Sequence, residues 1–184
     1  MDALTARLRP ALLGAALTML SCMAQAQQAS EAAVKAAFLY KFPGYIEWPA
    51  ESFPTTETPF VIGVVGADEV AVELEKLVPG RAIGARRIAI RRLREGDSPR
   101  GVHILFIGRL DAAATRTLVR TAHAHLGTLT VTESERGLEM GAAINFVAYE
   151  DRVAFEVSLD NAERTGLRIS SRMLAVARRV VPRG

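Results

Sequence analysis

Cysteine is nearly absent from this chain of 184 residues: Cys22 is the only one, so no intramolecular disulfide can form. Histidine is scarce as well, with His103, His123 and His125 alone, and none stands near a Gly-x-Ser-x-Gly turn. His123 and His125 are two positions apart on an expected helix, so they point in different directions and suit neither a metal pair nor a shared base. Their arrangement argues against zinc and against a serine hydrolase. Aromatic residues make up 6% of the chain and there is one tryptophan, Trp48. The formal charge is only +3, and the basic stretch from Arg81 to Arg94 contains no aromatic side chain for bases to stack on, which reads against nucleic-acid binding. No apolar run reaches the roughly twenty residues of a membrane span.

What is there begins with a leader. Arg7 and Arg9 precede an apolar run from Ala11 to Leu20, and Ala24-Gln25-Ala26 supplies the small residues of a cleavage site. Residues 1–26 are therefore expected to be a cleaved signal peptide and residues 27–184 a single exported domain. Leu20 is bulky where a lipoprotein signal carries a small residue, so Cys22 reads as part of the leader and departs with it. A mature chain of about 158 residues is long enough to hold itself together with a core.

Ser30 to Phe42 has apolar residues at helical spacing and stops at Pro43-Gly44. Phe60 to Val65 is a continuous apolar run ending in Gly66, the pattern of a strand covered on both faces, and a helix from Asp68 to Leu77, capped by Asp68, is expected next. Further strands are predicted over Arg87–Leu93, Val102–Ile107 and Thr128–Thr132, with a helix over 112–126. Two alternating runs, Ala143–Ala148 and Val153–Leu159, flank Tyr149-Glu150-Asp151-Arg152 and predict a tight hairpin. Asp160 to Glu163 reads as a capping box and Ser170 or Ser171 as the cap of a final helix, whose stripe is Met173, Leu174, Ala177, Val180 and Val181. The fold class is α/β: one domain with a mixed, mostly parallel sheet of about six strands and helices on both faces.

Few residues then compete for a functional role. Gly63-Val64-Val65-Gly66 lacks the third glycine of a dinucleotide fingerprint and the lysine of a P-loop, so Gly66 and Gly108 are read as turn glycines. No catalytic, cofactor-binding or metal-binding residue is assigned. Tyr45, Ile46 and Trp48, with Arg87 and Arg91 of the basic strand, are the candidate partner-binding residues, weighed against a core position for Trp48 and an arginine-protected edge strand. Asn145, Glu156 and Arg168 are candidate positioning residues, with Arg168 a possible partner for Glu156.

Three blocks carry a family resemblance. AAFLYKFPGYIEWP from Ala36 to Pro49, PFVIGVVG from Pro59 to Gly66, and INF through FEV to GLRISSRMLAVA in the closing segment resemble the YfiR/HmsC-like periplasmic regulators. HILFIG from His103 resembles a further block, with Val102 where the family often has cysteine, and Pro43-Gly44 replaces the usual Ala-Lys. The resemblance implies a non-enzymatic, often dimeric periplasmic protein that binds the periplasmic sensor of a membrane-bound diguanylate cyclase and represses it. It also implies relief by an OmpA-like outer-membrane lipoprotein, and control of cyclic di-GMP, exopolysaccharide and biofilm formation. A small-ligand-binding sensor domain, with a cleft near Gly66 and Gly108, is the alternative, and an enzyme is the third reading.

Overall fold

A computed structural model describes residues 30–182, and the expected signal peptide lies outside them. The chain runs α1 (Glu31–Lys41), a 3-10 turn (Phe42–Tyr45), β1 (Ile46–Glu47), a second 3-10 turn (Ala50–Ser52), β2 (Phe60–Val65), α2 (Asp68–Leu77), β3 (Ala82–Ile83), β4 (Arg86–Leu93) and β5 (Ile104–Ile107). It continues through α3 (Ala112–His123), β6 (Leu129–Thr132), β7 (Ile144–Tyr149), β8 (Arg152–Ser158), α4 (Leu159–Glu163), β9 (Arg168–Ile169), α5 (Ser171–Leu174) and β10 (Arg179–Val181).

The main sheet has eight strands in the order β10-β8-β7-β6-β5-β2-β4-β3, where about six are expected from sequence. The two extra members are short, and short strands leave little periodicity to read. β2, β4, β5, β6 and β7 are parallel neighbours, β7 and β8 are antiparallel, and β10 returns parallel to β8. β1 and β9 form a separate two-stranded ribbon.

Alternation along the central strands divides the core in two. Phe60, Ile62 and Val64 of β2, with Ile104 and Phe106 of β5, face α1 and α2 through Leu39, Val70 and Leu74. Val61 and Val65, with Leu105 and Ile107, face Leu118, Val119 and Ala122 of α3 on the other side. Helices thus cover both faces, which is why these strands are apolar without a polar side.

Pro43 and Gly44 do interrupt the first helix, and the 3-10 turn they form aims the chain into β1. At the hairpin, Tyr149 pairs with Arg152, leaving Glu150 and Asp151 with φ of 48° and 57°. Positive φ at both central residues is the type I′ geometry whose twist matches the flanking strands.

Three local expectations are corrected. Asp68 does not cap α2: the N-cap is Ala67 with no side-chain bond, and Asp68 is the first helical residue, where its charge favours the dipole. The cap of α4 is Ser158, whose hydroxyl accepts from the Asn161 N–H, and Asp160 sits inside the turn. The final helix ends at Leu174, and Val180 and Val181 belong to β10 instead of extending its stripe. β-branched Val180 and Val181 suit an extended chain, and β8 offers an open edge for them.

Gly108 joins the two halves of the sheet. Its N–H donates to the Val65 carbonyl at 2.8 Å, and a Cβ built on it would collide with the carbonyl of Gly66 and lie 2.7 Å from the Ala67 Cβ. Gly66 itself has φ of +67°, so it serves as a turn glycine, whereas Gly108 is required by the close approach. Gly108→Ala should therefore destabilise the fold by about 1–3 kcal/mol, seen as a lower urea midpoint at unchanged slope.

Candidate functional site

The opening segment builds the most distinctive surface. Phe38 and Phe42, one helical turn apart, pack against Phe146 of β7 and Phe155 of β8 with ring centroids 5.3–6.0 Å apart. Phe42 is buried, and the chain then passes through the 3-10 turn, leaving Tyr45 with 43% of its surface exposed. α5 comes alongside, because the Ser170 hydroxyl caps it through the Met173 N–H and the Ser170 N–H donates to the Tyr45 carbonyl at 2.9 Å. Between these elements lies a groove of about 310 Å³. Phe38, Phe42, Tyr45, Phe155, Met173 and Val176 line it, together with the cations Lys41 and Arg172. Val176 stands 71% exposed at its margin.

The other sequence candidates fall into different surroundings. Ile46 is buried in the β1–β9 ribbon, opposite Ile169. Trp48 is half-buried: its indole N–H donates to the Gly127 carbonyl at 2.9 Å, and its ring stands edge-on to Phe60 at 5.1 Å. Arg87 is exposed on β4 opposite Ala82, and β4 is not the outermost strand, because β3 covers its first two residues. Arg91 donates to the Arg100 and Ser98 carbonyls at 2.9 and 3.1 Å, which fastens the loop after β4. Tyr45 is thus the member of the set that opens onto the groove.

Asn145 is buried, and its side-chain oxygen accepts from the Thr132 hydroxyl at 2.7 Å and the Ser134 N–H at 3.2 Å, joining β6 to β7. Glu156 is buried on β8 and is bound not by Arg168 but by Arg178 at 2.9 Å and Arg179 at 2.8 Å. This double pairing holds β10 to the sheet, and the Arg179 hydrogen bond keeps the Glu156 carboxyl below the usual carboxylate range. Arg168 sits in β9 opposite Glu47.

A second concavity was not anticipated residue by residue. The strand order reverses at β2, since the chain moves outward to β4 and then back to β5 on the other side. Beyond the ends of these strands is a cleft of about 320 Å³ bordered by Gly66, Ala67, Asp68 and Glu69. The Lys35 ammonium, buried on α1, is held between the carboxylates of Glu31 and Glu133. Arg109, exposed, lies 3.9 and 4.0 Å from the same two acids. Glu31 at i−4 from Lys35 is visible in the sequence, whereas Glu133 lies 98 positions away and leaves no local signal.

His103 is buried among rings, stacked on Phe53 at 4.5 Å and Phe60 at 5.0 Å. Its Nδ1 accepts from the Val61 N–H at 3.0 Å and its Nε2 lies 3.0 Å from the Ser52 carbonyl, so the neutral tautomer protonated on Nε2 satisfies both. Both nitrogens are committed to backbone. Among the described residues no cluster of metal-ligating side chains occurs, and no helix is long and apolar enough to cross a membrane.

An α/β sheet closed by a hairpin and a returning edge strand thus positions both concavities. The YfiR/HmsC-like family model matches residues 32–178, and the chain belongs to that family of regulators. Among solved structures, a conserved domain protein from Vibrio cholerae is similar with a TM-score of 0.50 at 13% identity, over 82% of this chain. This chain spans 60% of that protein's chain, and the likeness concerns the fold alone. No curated protein matches.

Burial holds the His103 pKa below its ordinary value, and His123 is displaced the same way. A depressed base stabilises the fold above its unfolded pKa, about 6.5, and that stability is lost as pH falls through the folded value. Glu31 and Glu156 are depressed acids, whose contribution persists down to about pH 4. Between pH 7.5 and 5.5 the urea midpoint should therefore fall, and the fall should be smaller in His103→Gln. An equal fall in both proteins would show that His103 does not titrate with unfolding.

Proposed function

We propose that this protein is a periplasmic negative regulator that binds the sensor domain of a membrane-bound diguanylate cyclase and holds it inactive. Lower cyclic di-GMP, and with it less exopolysaccharide and biofilm, is the output. Membership of a regulator family over residues 32–178 is the observation that carries this reading. The groove beside Tyr45 supports it, because an apolar concavity with exposed rims suits a protein partner. Repression needs no chemistry in this chain: a partner that prefers the inactive sensor conformation shifts the cyclase by its difference in affinity for the two states. Export by cleavage after Ala26, a homodimeric state, and sequestration by an OmpA-like outer-membrane lipoprotein complete the proposal.

Deleting the gene should raise cyclic di-GMP, and the tagged mature chain should co-purify an inner-membrane protein bearing a cyclase domain. Unchanged nucleotide together with recovery of no signalling protein would sink the proposal.

The cleft beyond β2 and β5 favours a second reading, a periplasmic sensor domain for a small polar ligand, since crevices at a reversal of strand order are common ligand sites. A metabolite panel tests it by thermal shift. A ligand of this cleft should raise the Tm of the wild type and leave that of Arg109→Ala unmoved. A panel with no shift removes this reading.

A further inference from the structure

The groove beside Tyr45 continues into a neighbouring hollow, and the two share Val176. Tyr149, 47% exposed, lines the second hollow with Ala154, Arg178 and Arg179. The Arg178 guanidinium lies over the Tyr149 ring, 4.9 Å from its centroid. The two hollows thus form one track, apolar beside Tyr45 and mixed beside Tyr149, with Lys41 and Arg172 lining the first part and the arginine pair the second. Glu156 pairs with both Arg178 and Arg179, Glu139 also acts on Arg179 from farther off, and no carboxylate lines either hollow among the described residues. Lys41 and Arg172 in particular meet no carboxylate along the groove.

We infer that this track receives a partner segment carrying aliphatic or aromatic anchors flanked by Asp or Glu, an acidic amphipathic stretch of the protein that the regulator binds. The inference rests on the binding-regulator reading and adds the chemistry of the partner. Apolar anchors would fill the concavity between Phe42, Tyr45 and Met173, and Met173 supplies an adaptable floor. Carboxylates beside those anchors would meet Lys41 and Arg172, with the arginine pair farther along the track. A second copy of the same surface fits less well. An isologous contact across a two-fold axis would set the cations of one copy near those of the other. An anionic lipid surface fits less well too, because most of the apolar residues line a concavity and only Tyr45, Tyr149 and Val176 are exposed enough to enter a bilayer.

The test uses the full chain in its own cells, with a photo-cross-linking amino acid at Val176 and, as a control on α2, at Val72. Cross-linked peptides are sequenced by mass spectrometry. The Val176 probe should capture one peptide with apolar residues flanked by carboxylates, the Val72 probe should not, and the double variant Lys41→Glu, Arg172→Glu should cut the yield about tenfold or more. Both substituted side chains are at the surface, and an unchanged Tm verifies that the variant is folded. Capture of this chain itself, of a peptide without carboxylates, or of nothing overturns the inference. So does sedimentation of the purified protein with phosphatidylglycerol vesicles if the double variant abolishes it. An acidic apolar peptide from a protein other than a cyclase would uphold the inference and overturn the cyclase as partner. A cyclase captured from elsewhere on the surface would do the reverse.

Discussion

Phe38 and Phe42, packed on Phe146 and Phe155, tie the first helix of the described chain to the hairpin near its end, and the groove beside Tyr45 depends on that aromatic contact. A parallel sheet needs covering on both faces, and α1 with α2 supplies one cover only if α1 is held against strands more than a hundred residues away. Four phenylalanines supply a large apolar area with few rotatable bonds, so the entropy lost in ordering them is small against the area they bury. Because Phe42 must reach inward, the Pro43-Gly44 turn follows it closely, and Tyr45 is carried outward. The groove is a by-product of where that turn falls.

Legibility from sequence tracked the range of the interactions involved. β2, β5 and the β7–β8 hairpin could be read because their signals are local: continuous apolar runs, and two alternating runs joined by a short polar link in which Asp151 suits positive φ and Glu150 is carried there by the turn. The tail was misread because Met173, Leu174, Ala177, Val180 and Val181 satisfy a helical stripe as well as a short helix followed by a strand. What decides between them is Glu156, which binds Arg178 and Arg179 and draws the tail into the sheet. The sequence shows those arginines near a helix end, where the dipole also explains them, so the local explanation concealed the long-range one. Lys35 with Glu133 is a second case, a pair visible only after folding.

The candidate site was legible in part. Tyr45 could be picked out as an aromatic in a turn, but its companions come from α1, β8 and α5, and no sequence window contains them all. Trp48 stands out as the single tryptophan and Arg91 as a member of the basic strand, and the structure places each in a hydrogen bond to a backbone carbonyl. Side chains suited to recognition, an indole or a guanidinium, serve packing and loop anchoring as readily.

The distribution of satisfied polar groups then bears on function. His103, Asn145 and Asn161 are buried and bonded within the fold: both ring nitrogens of His103 on Val61 and Ser52, the Asn145 Oδ1 on Thr132 and Ser134, and the Asn161 Nδ2 on the carbonyls of Leu138 and Ala142. Each is therefore costly to remove, and His103, with both nitrogens engaged, has no capacity left for a substrate. The groove has the opposite character, with apolar walls still partly in contact with water and cations at its ends that no lining carboxylate neutralises. Covering such walls releases free energy in proportion to the area buried, and meeting the cations with carboxylates fixes the register of whatever covers them. With His103 engaged on both ring nitrogens and the apolar groove still facing solvent, the larger share of unused binding free energy lies at the surface, which is what the proposed contact with a partner would draw on.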